Sequence, residues 1–281
     1  MHVSTMDTTL APPAPVSICT PAGVPLGPEA LKHLVTGFLQ DGLARLPGLL
    51  APQALLLREA SDRIFAENPP AYDPGLMDVV RFRVFEHAAQ FRDLLVIEPV
   101  ISVVEAILGA NCHMVSQNVL RTPPGRAIDQ WHVDETLYFP LPDEVPRHPM
   151  QLPVLVMTVF VLLSDVPDVA SGPTQIVPGS CWSGRYPPVQ EPVSFAGQEP
   201  VSLLGQAGDV YFMHNQCWHR GAPNLSSTTR YLLGTNYGRR YVSQRLYPFV
   251  NYHLPASVEA GADQRLQRVL GHHSQGTEGY A

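Results

Sequence analysis

His132-Val133-Asp134, with His219 far downstream and Arg230 eleven positions beyond it, are residues whose types and spacing fit one chemistry. Two imidazoles and one carboxylate form the 2-His-1-carboxylate set that holds Fe(II) on one face and leaves the opposite positions open. Residues two apart on a strand point to the same side, so His132 and Asp134 reach one metal while Val133 faces away. An isolated His-x-Asp carries little weight. A distant histidine on another apolar, strand-like segment and an arginine on the next strand make the pattern specific. The competing reading is of two surface histidines and a solvated arginine.

Fe(II) with three protein ligands has room for a bidentate 2-oxo acid and for O₂. The far carboxylate of 2-oxoglutarate then requires a cation several ångströms from the metal. Arg230 suits that task, because a guanidinium forks onto a carboxylate and stays charged at any working pH.

The elements that must position these residues follow from periodicity. Leu31, Leu34, Val35, Phe38 and Leu39 recur at helical spacing, with Gly42 as the stop. A short strand around 44–46 leads to a second helix over 52–67, and a third spans 99–108. The run Asn68-Pro69-Pro70-Ala71-Tyr72-Asp73-Pro74-Gly75 reads as a loop. Beyond Gly109, short apolar runs separated by Pro and Gly take over: 112–120, 154–163, 175–177, 209–213 and 231–237. Strands of that kind indicate a mainly β sandwich or barrel with helices packed on one outer face. Residues 1–27 read as a disordered Pro-rich leader, 28–255 as one catalytic domain, and 256–281 as a tail with a short helix near 264–270.

In these residues the chain resembles the phytanoyl-CoA dioxygenase family, a branch of the Fe(II)- and 2-oxoglutarate-dependent oxygenases. The matching pieces stand in the family's order. They are Leu108-Gly109, the Gln117 strand leading to Pro123-Pro124-Gly125, Trp131-His132-Val133-Asp134 with Tyr138-Phe139-Pro140, and Ser171-Gly172-Pro173-Thr174 with Val177-Pro178-Gly179-Ser180. Gly208-Asp209-Val210 and His219-Arg220-Gly221-Ala222-Pro223-Asn224, followed by Arg230, complete the series. The fold this implies is a double-stranded β-helix, or jelly roll, with iron inside its wider mouth.

The resemblance implies His132, Asp134 and His219 as iron ligands and Arg230 as the anchor of the distal 2-oxoglutarate carboxylate. Thr174 matches a position whose hydroxyl supports that carboxylate, the alternative being a turn residue. Gln117 matches the polar residue lining the cosubstrate pocket, the alternative being an outward-facing strand residue. His214 competes with His219, but the continuation after His219 and the spacing to Arg230 favour the latter. That leaves His214 to line the pocket or satisfy a buried hydrogen bond. Cys181 stands where the family often has histidine, outside the metal shell.

Candidate substrate contacts are Tyr138, Phe139, Trp218 and His214, within segments expected around the open iron face. Arg81, Arg83, Arg121 and Arg126 are available to a substrate carboxylate, with solvated charge as the default reading. His113, His148 and His272-His273 lack a partner pattern.

Composition narrows the function. At 281 residues, 45% hydrophobic and 15% charged, the chain can bury a full core. The net charge of −7, with Lys32 as the single lysine, argues against nucleic acid, anionic membranes and a phosphate-rich CoA ester. The opening segment lacks the basic start and apolar core of a signal peptide, and no run is long enough to span a membrane. Cys19, Cys112, Cys181 and Cys217 are scattered, so a reducing cytoplasm fits better than a disulfide framework.

The expected activity is oxidation of a C–H bond in a small organic molecule, preferentially a natural-product intermediate, with hydroxylation as the default. Desaturation, epoxidation or rearrangement would use the same iron chemistry. A halogenase requires the carboxylate ligand to be replaced by Gly or Ala, and Asp134 opposes that. A jelly roll that only binds is the remaining alternative, and the complete ligand set opposes it. A monomer or homodimer is expected.

Overall fold

The computed structural model describes residues 15–67, 79–134, 153–246 and 252–273. Helix α1 (Pro28–Asp41) opens with Pro28 in its first turn, where a missing N–H is harmless, and with Glu29 against the positive end of the dipole. Leu34, Gly37 and Phe38 form its buried stripe. Gly42 ends it in the left-handed conformation at φ 73°, its N–H donating to the Phe38 carbonyl. A Cβ at Gly42 would lie 2.4 Å from Cys217 Sγ, so packing reinforces the conformational demand for glycine.

Strand β2 (Leu43–Leu46) then leads to α2 (Ala51–Glu67). Helices α3 (Val84–His87), α4 (Ala89–Asp93) and α5 (Val100–Leu108) precede the main strands. Alpha5 is rich in β-branched residues that disfavour helix intrinsically, but six of its side chains are buried, and tertiary packing outweighs propensity.

Eight strands build the core: β4 (His113–Thr122), β5 (Ile128–His132), β6 (Val156–Leu162), β7 (Thr174–Ile176), β8 (Val201–Ser202), β9 (Val210–His214), β10 (His219–Gly221) and β11 (Arg230–Gly238). One sheet runs β9-β6-β11-β4 at its centre, and the other runs β5-β10-β7-β8. Successive strands alternate between the two, except β7 and β8, which gives a double-stranded β-helix. The first sheet is extended at one edge by β2 and β1 (Val16–Ser17), and at the other by β3 (Val80–Phe82).

Side-chain parity divides the first sheet cleanly. Met157, Val159 and Val161 of β6, with Val210 and Phe212 of β9, face outward onto Phe38, Leu57, Ile101 and Val104 of the helices. Phe160, Leu162, Tyr211 and Met213 face inward between the sheets. Helices therefore cover one outer face, and the inner face is left to the site.

Among the described residues, ordered structure extends past both bounds expected for the domain, and the short helix expected near 264–270 is present. Val16 and Ser17 pair in parallel with Ala44 and Arg45, so ordered structure starts inside the expected leader. Val16 sits directly over Gly37, where any Cβ would meet its Cγ2 at 2.2 Å. Apolar residues in a Pro-rich stretch thus find a partner that local composition does not reveal. At the other end, α6 (Ala256–Glu259) and α7 (Gln264–Val269) are part of the domain. Leu266, Val269 and Leu270 join the main core, and Arg265 pairs with Glu98 and Glu105 of the α5 region.

Candidate metal centre

His132 closes β5, His219 opens β10, and the two are direct partners across the antiparallel ladder. Their rings lie 4.2 Å apart between centroids. Asp134, two residues past His132, brings Oδ1 to 3.7 Å from His132 Nε2 and 3.6 Å from His219 Nε2. All three donor atoms fall within 4.8 Å of one another, and they are the one such group of three among the described residues.

Each histidine is oriented the same way. His132 Nδ1 lies 2.8 Å from the Gln130 carbonyl, and His219 Nδ1 lies 2.9 Å from the Cys217 carbonyl. A backbone carbonyl only accepts, so Nδ1 carries the proton and Nε2 turns its lone pair towards Asp134. Asp134 is fixed through its own N–H, which donates to the Asn215 carbonyl at 3.2 Å. Asn215 belongs to a buried polar layer with Thr158, Asn236 and Ser116, whose side chains are linked at 2.5–2.8 Å.

Burial pulls His219 towards the neutral form, but the neighbouring Asp134 charge outweighs it and raises its pKa. Burial alone would raise the Asp134 pKa, but the two histidines and Arg245 lower it. His132 is lowered, first by burial and then by His219. Such mutual perturbation of three converging donors is the electrostatic pattern of a cation site.

The triad opens onto a cavity of about 240 Å³ between the sheets. Its far end holds Arg230, the first residue of β11, and Thr174, the first of β7. Arg230 is buried, and its Nη2 donates to Thr122 Oγ1 at 3.1 Å. Its Nε has no hydrogen-bond partner, and burial pulls its pKa down to about 10. No carboxylate among the described residues pairs with it. A buried cation that lines the cavity with no carboxylate partner among the described residues fits a carboxylate ligand, and the donor set at the other end fits iron.

The loop that carries Thr174 is held by close packing. Gly172 adopts φ 67°, and a Cβ there would meet the Asn224 backbone at 2.8 Å. Asn224 in turn donates from Nδ2 to the carbonyls of Thr122 and Thr228, which ties the β10–β11 turn to β4 just before Arg230.

Other expectations fall differently. Gln117 lies on the helix-facing side of β4, with Nε2 donating to the Phe91 carbonyl at 3.1 Å and Thr235 Oγ1 at 3.2 Å. It does not line the cavity. Its neighbour Asn118 does, together with Thr158, Phe160 and Asn236, none of which the sequence singled out.

His214 is buried between Phe38 and Trp182, with Nδ1 accepting from the Gln216 N–H. Trp218 is a packing residue: its indole donates to the Arg185 carbonyl at 2.8 Å and its ring meets Phe195 edge-on. Neither lines the cavity. Tyr138 and Phe139, like His148, lie outside the described residues. Arg81 and Arg121 stack on Phe65, and Arg83 on Tyr252, away from the triad.

The family model of phytanoyl-CoA dioxygenase (PhyH) matches residues 38–231, more than half of the chain. The protein belongs to the phytanoyl-CoA dioxygenase family and is an iron- and 2-oxoglutarate-dependent oxygenase-type enzyme. Among solved structures it is similar to the non-haem α-ketoglutarate-dependent epimerase SnoN from nogalamycin biosynthesis. That match has 23% identity and a TM-score of 0.60, over 84% of this chain and 93% of SnoN. The carbocyclase SnoK from the same biosynthesis matches at 22% identity and a TM-score of 0.55, over 76% of this chain and 85% of SnoK. HygX from Streptomyces hygroscopicus, with nickel and 2-oxoglutarate bound, matches at 15% identity and a TM-score of 0.58, over 79% of this chain and 91% of HygX. These likenesses establish the shared fold.

Proposed function

We propose that His132, Asp134 and His219 hold the iron, and that Arg230, with Thr122 and Thr174, holds the distal carboxylate of 2-oxoglutarate. The observation that carries this reading is the shared cavity: three converging donor atoms at one end and a buried, incompletely satisfied guanidinium at the other. When bound, the iron with 2-oxoglutarate and O₂ supplies oxidation of a C–H bond, releasing succinate and CO₂ and leaving one oxygen atom as hydroxyl on the substrate.

The chain's own residues do the rest. The carbonyls of Gln130 and Cys217 hold both imidazoles in the tautomer that presents Nε2. The Asp134 N–H, donating to the Asn215 carbonyl, fixes the backbone that carries the carboxylate, and the Thr158–Asn236 layer stiffens the strands beneath it. Leu120, Ile128, Phe160 and Leu232 keep the cavity wall apolar, which excludes water and strengthens the Arg230 interaction.

The substrate is a small organic molecule, preferentially a natural-product intermediate, and the outcome is hydroxylation. Support comes from the small, mostly apolar cavity and from the biosynthetic setting of SnoN and SnoK. Their names, an epimerase and a carbocyclase, favour rearrangement of the same substrate class as the second reading. A CoA ester fits less well, because Arg220 at the cavity edge is already engaged by Glu191 and Gln175. The four cysteines are unpaired, in keeping with a cytoplasmic enzyme, monomeric or homodimeric. Among the described residues no helix is long and apolar enough to cross a membrane.

A panel of small aromatic and polycyclic natural products, assayed for stimulated succinate formation from 2-oxoglutarate, tests this reading. At least one should raise succinate well above the substrate-free rate, and His132→Ala should abolish the stimulation. Stimulation that survives in His132→Ala would refute the assignment.

A further inference from the structure

Gly221 stands at a position where the fold does not need glycine. It is the third residue of β10, pairing with Thr174 on one side and Ile128 on the other. His219 faces the triad, and Arg220 turns outward to Glu191, Gln175 and the Trp131 ring. Alternation therefore aims residue 221 inward, and Gly221 lines the cavity beside Thr174 and Arg230. A Cβ there would meet nothing closer than Ile128, at 3.5 Å, an ordinary contact, and the backbone is not in the left-handed region. Glycine within a strand weakens it relative to alanine. What glycine leaves at this point is space inside the cavity.

That space has a definite place in the site. A two-residue step along a strand is roughly 6.6 Å, so Gly221 lies one such step below the ligand His219, towards the Arg230 end. The walls at this level, Ile128, Leu120 and Leu232, are apolar. A ligand that bridges the triad and Arg230 would lay its hydrocarbon spacer here. We infer that Gly221 sets which 2-oxo acids the site accepts, its missing side chain being the room for the two methylenes of 2-oxoglutarate.

The inference rests on the cosubstrate placement proposed above, and one experiment separates the two. Wild-type and Gly221→Ala protein, loaded anaerobically with Fe(II), are titrated with 2-oxoglutarate and with pyruvate. Pyruvate has the same chelating end but neither spacer nor distal carboxylate. Gly221→Ala should keep the wild-type Fe(II) affinity and pyruvate affinity. It should bind 2-oxoglutarate on the order of tenfold to a hundredfold more weakly, as expected for a methyl group forced into filled space. Ile128→Phe, which fills the same space from β5, should reproduce that selective loss and covers the case in which Gly221→Ala fails to fold. Unchanged 2-oxoglutarate binding in a folded variant, or equal loss of both acids, overturns the inference. Failure of the wild type to bind 2-oxoglutarate overturns the cosubstrate placement itself.

Discussion

Arg230 donates from Nη2 to Thr122 Oγ1 at 3.1 Å, while its equally buried Nε donates to nothing. A desolvated guanidinium with a spare donor is costly unless a ligand completes it. Truncating one member of a buried, hydrogen-bonded ion pair costs about 2–5 kcal/mol. Arg230→Ala should therefore raise the apparent constant for 2-oxoglutarate by roughly one to three orders of magnitude. Fe(II) affinity measured without cosubstrate should stay near normal. Arg230→Lys should recover only part of the loss, since an ammonium lacks the fork. Equal loss of metal and cosubstrate would show that Arg230 supports the fold instead.

Removing a ligand should separate chemistry from folding. The side chains of His132 and Asp134 stay 37% and 31% exposed and face the cavity, so His132→Ala and Asp134→Ala should leave the thermal midpoint nearly unchanged. Both should abolish succinate formation at limiting iron. Asp134→Gly should lose hydroxylation sharply while opening a coordination position to halide, although productive halogenation also needs surrounding hydrogen bonds. Unchanged turnover in any of the three would mean that residue is not a ligand.

The opposite faces of β4 give a paired test. Gln117→Met leaves the Phe91 carbonyl and Thr235 hydroxyl without their buried donor, costing about 1–3 kcal/mol of stability. Its 2-oxoglutarate dependence should match wild type. Asn118→Val, on the cavity side, should alter turnover with little change in stability. A thermal melt and a succinate assay on each variant decide the matter, and the reversed pattern would place the wrong face of β4 inward.

Beta4 also marks where sequence reading stops. The convergence of His132 and Asp134 was legible because a two-residue step carries its own geometry, whereas the spacing from His219 to Arg230 crosses from one sheet to the other and carries no local geometry of its own. Gln117 was misplaced because β4 is buried on both faces, so no polar–apolar alternation reveals its parity. Parity becomes visible through the register Arg230↔Thr122, which puts Leu120 and Asn118 on the inward row. The helices were readable from their apolar stripes and from Gly42. Strand β1 was not, because two residues gain their order wholly from β2 and Gly37. Trp218 and His214 sit within a few positions of a ligand, yet proximity in sequence did not place them in its cavity.

His214 makes acid stability testable. Burial holds its pKa down to about 3, so the folded protein keeps it neutral. An unfolded histidine titrates near 6.5, and below that pH the unfolded chain binds the extra proton. Stability from this residue is thus complete above about pH 6.5 and declines as pH falls towards 3. Between pH 8 and pH 5 the loss amounts to about 2 kcal/mol. His214→Leu should show a shallower decline of thermal midpoint over that range than wild type. Parallel declines would mean His214 is accessible to protons in the fold.

The central claim is that one cavity holds iron at His132, Asp134 and His219 and 2-oxoglutarate against Arg230. Its most direct test is an anaerobic titration of the Fe(II)-loaded protein with 2-oxoglutarate, followed by the weak visible charge-transfer absorption of the chelate. Wild type should develop the band and saturate at one equivalent of iron per chain. Asp134→Ala should fail to develop it at limiting iron, and Arg230→Ala should need far more 2-oxoglutarate to reach it. A wild-type protein that binds Fe(II) yet shows no band at saturating 2-oxoglutarate would contradict the account.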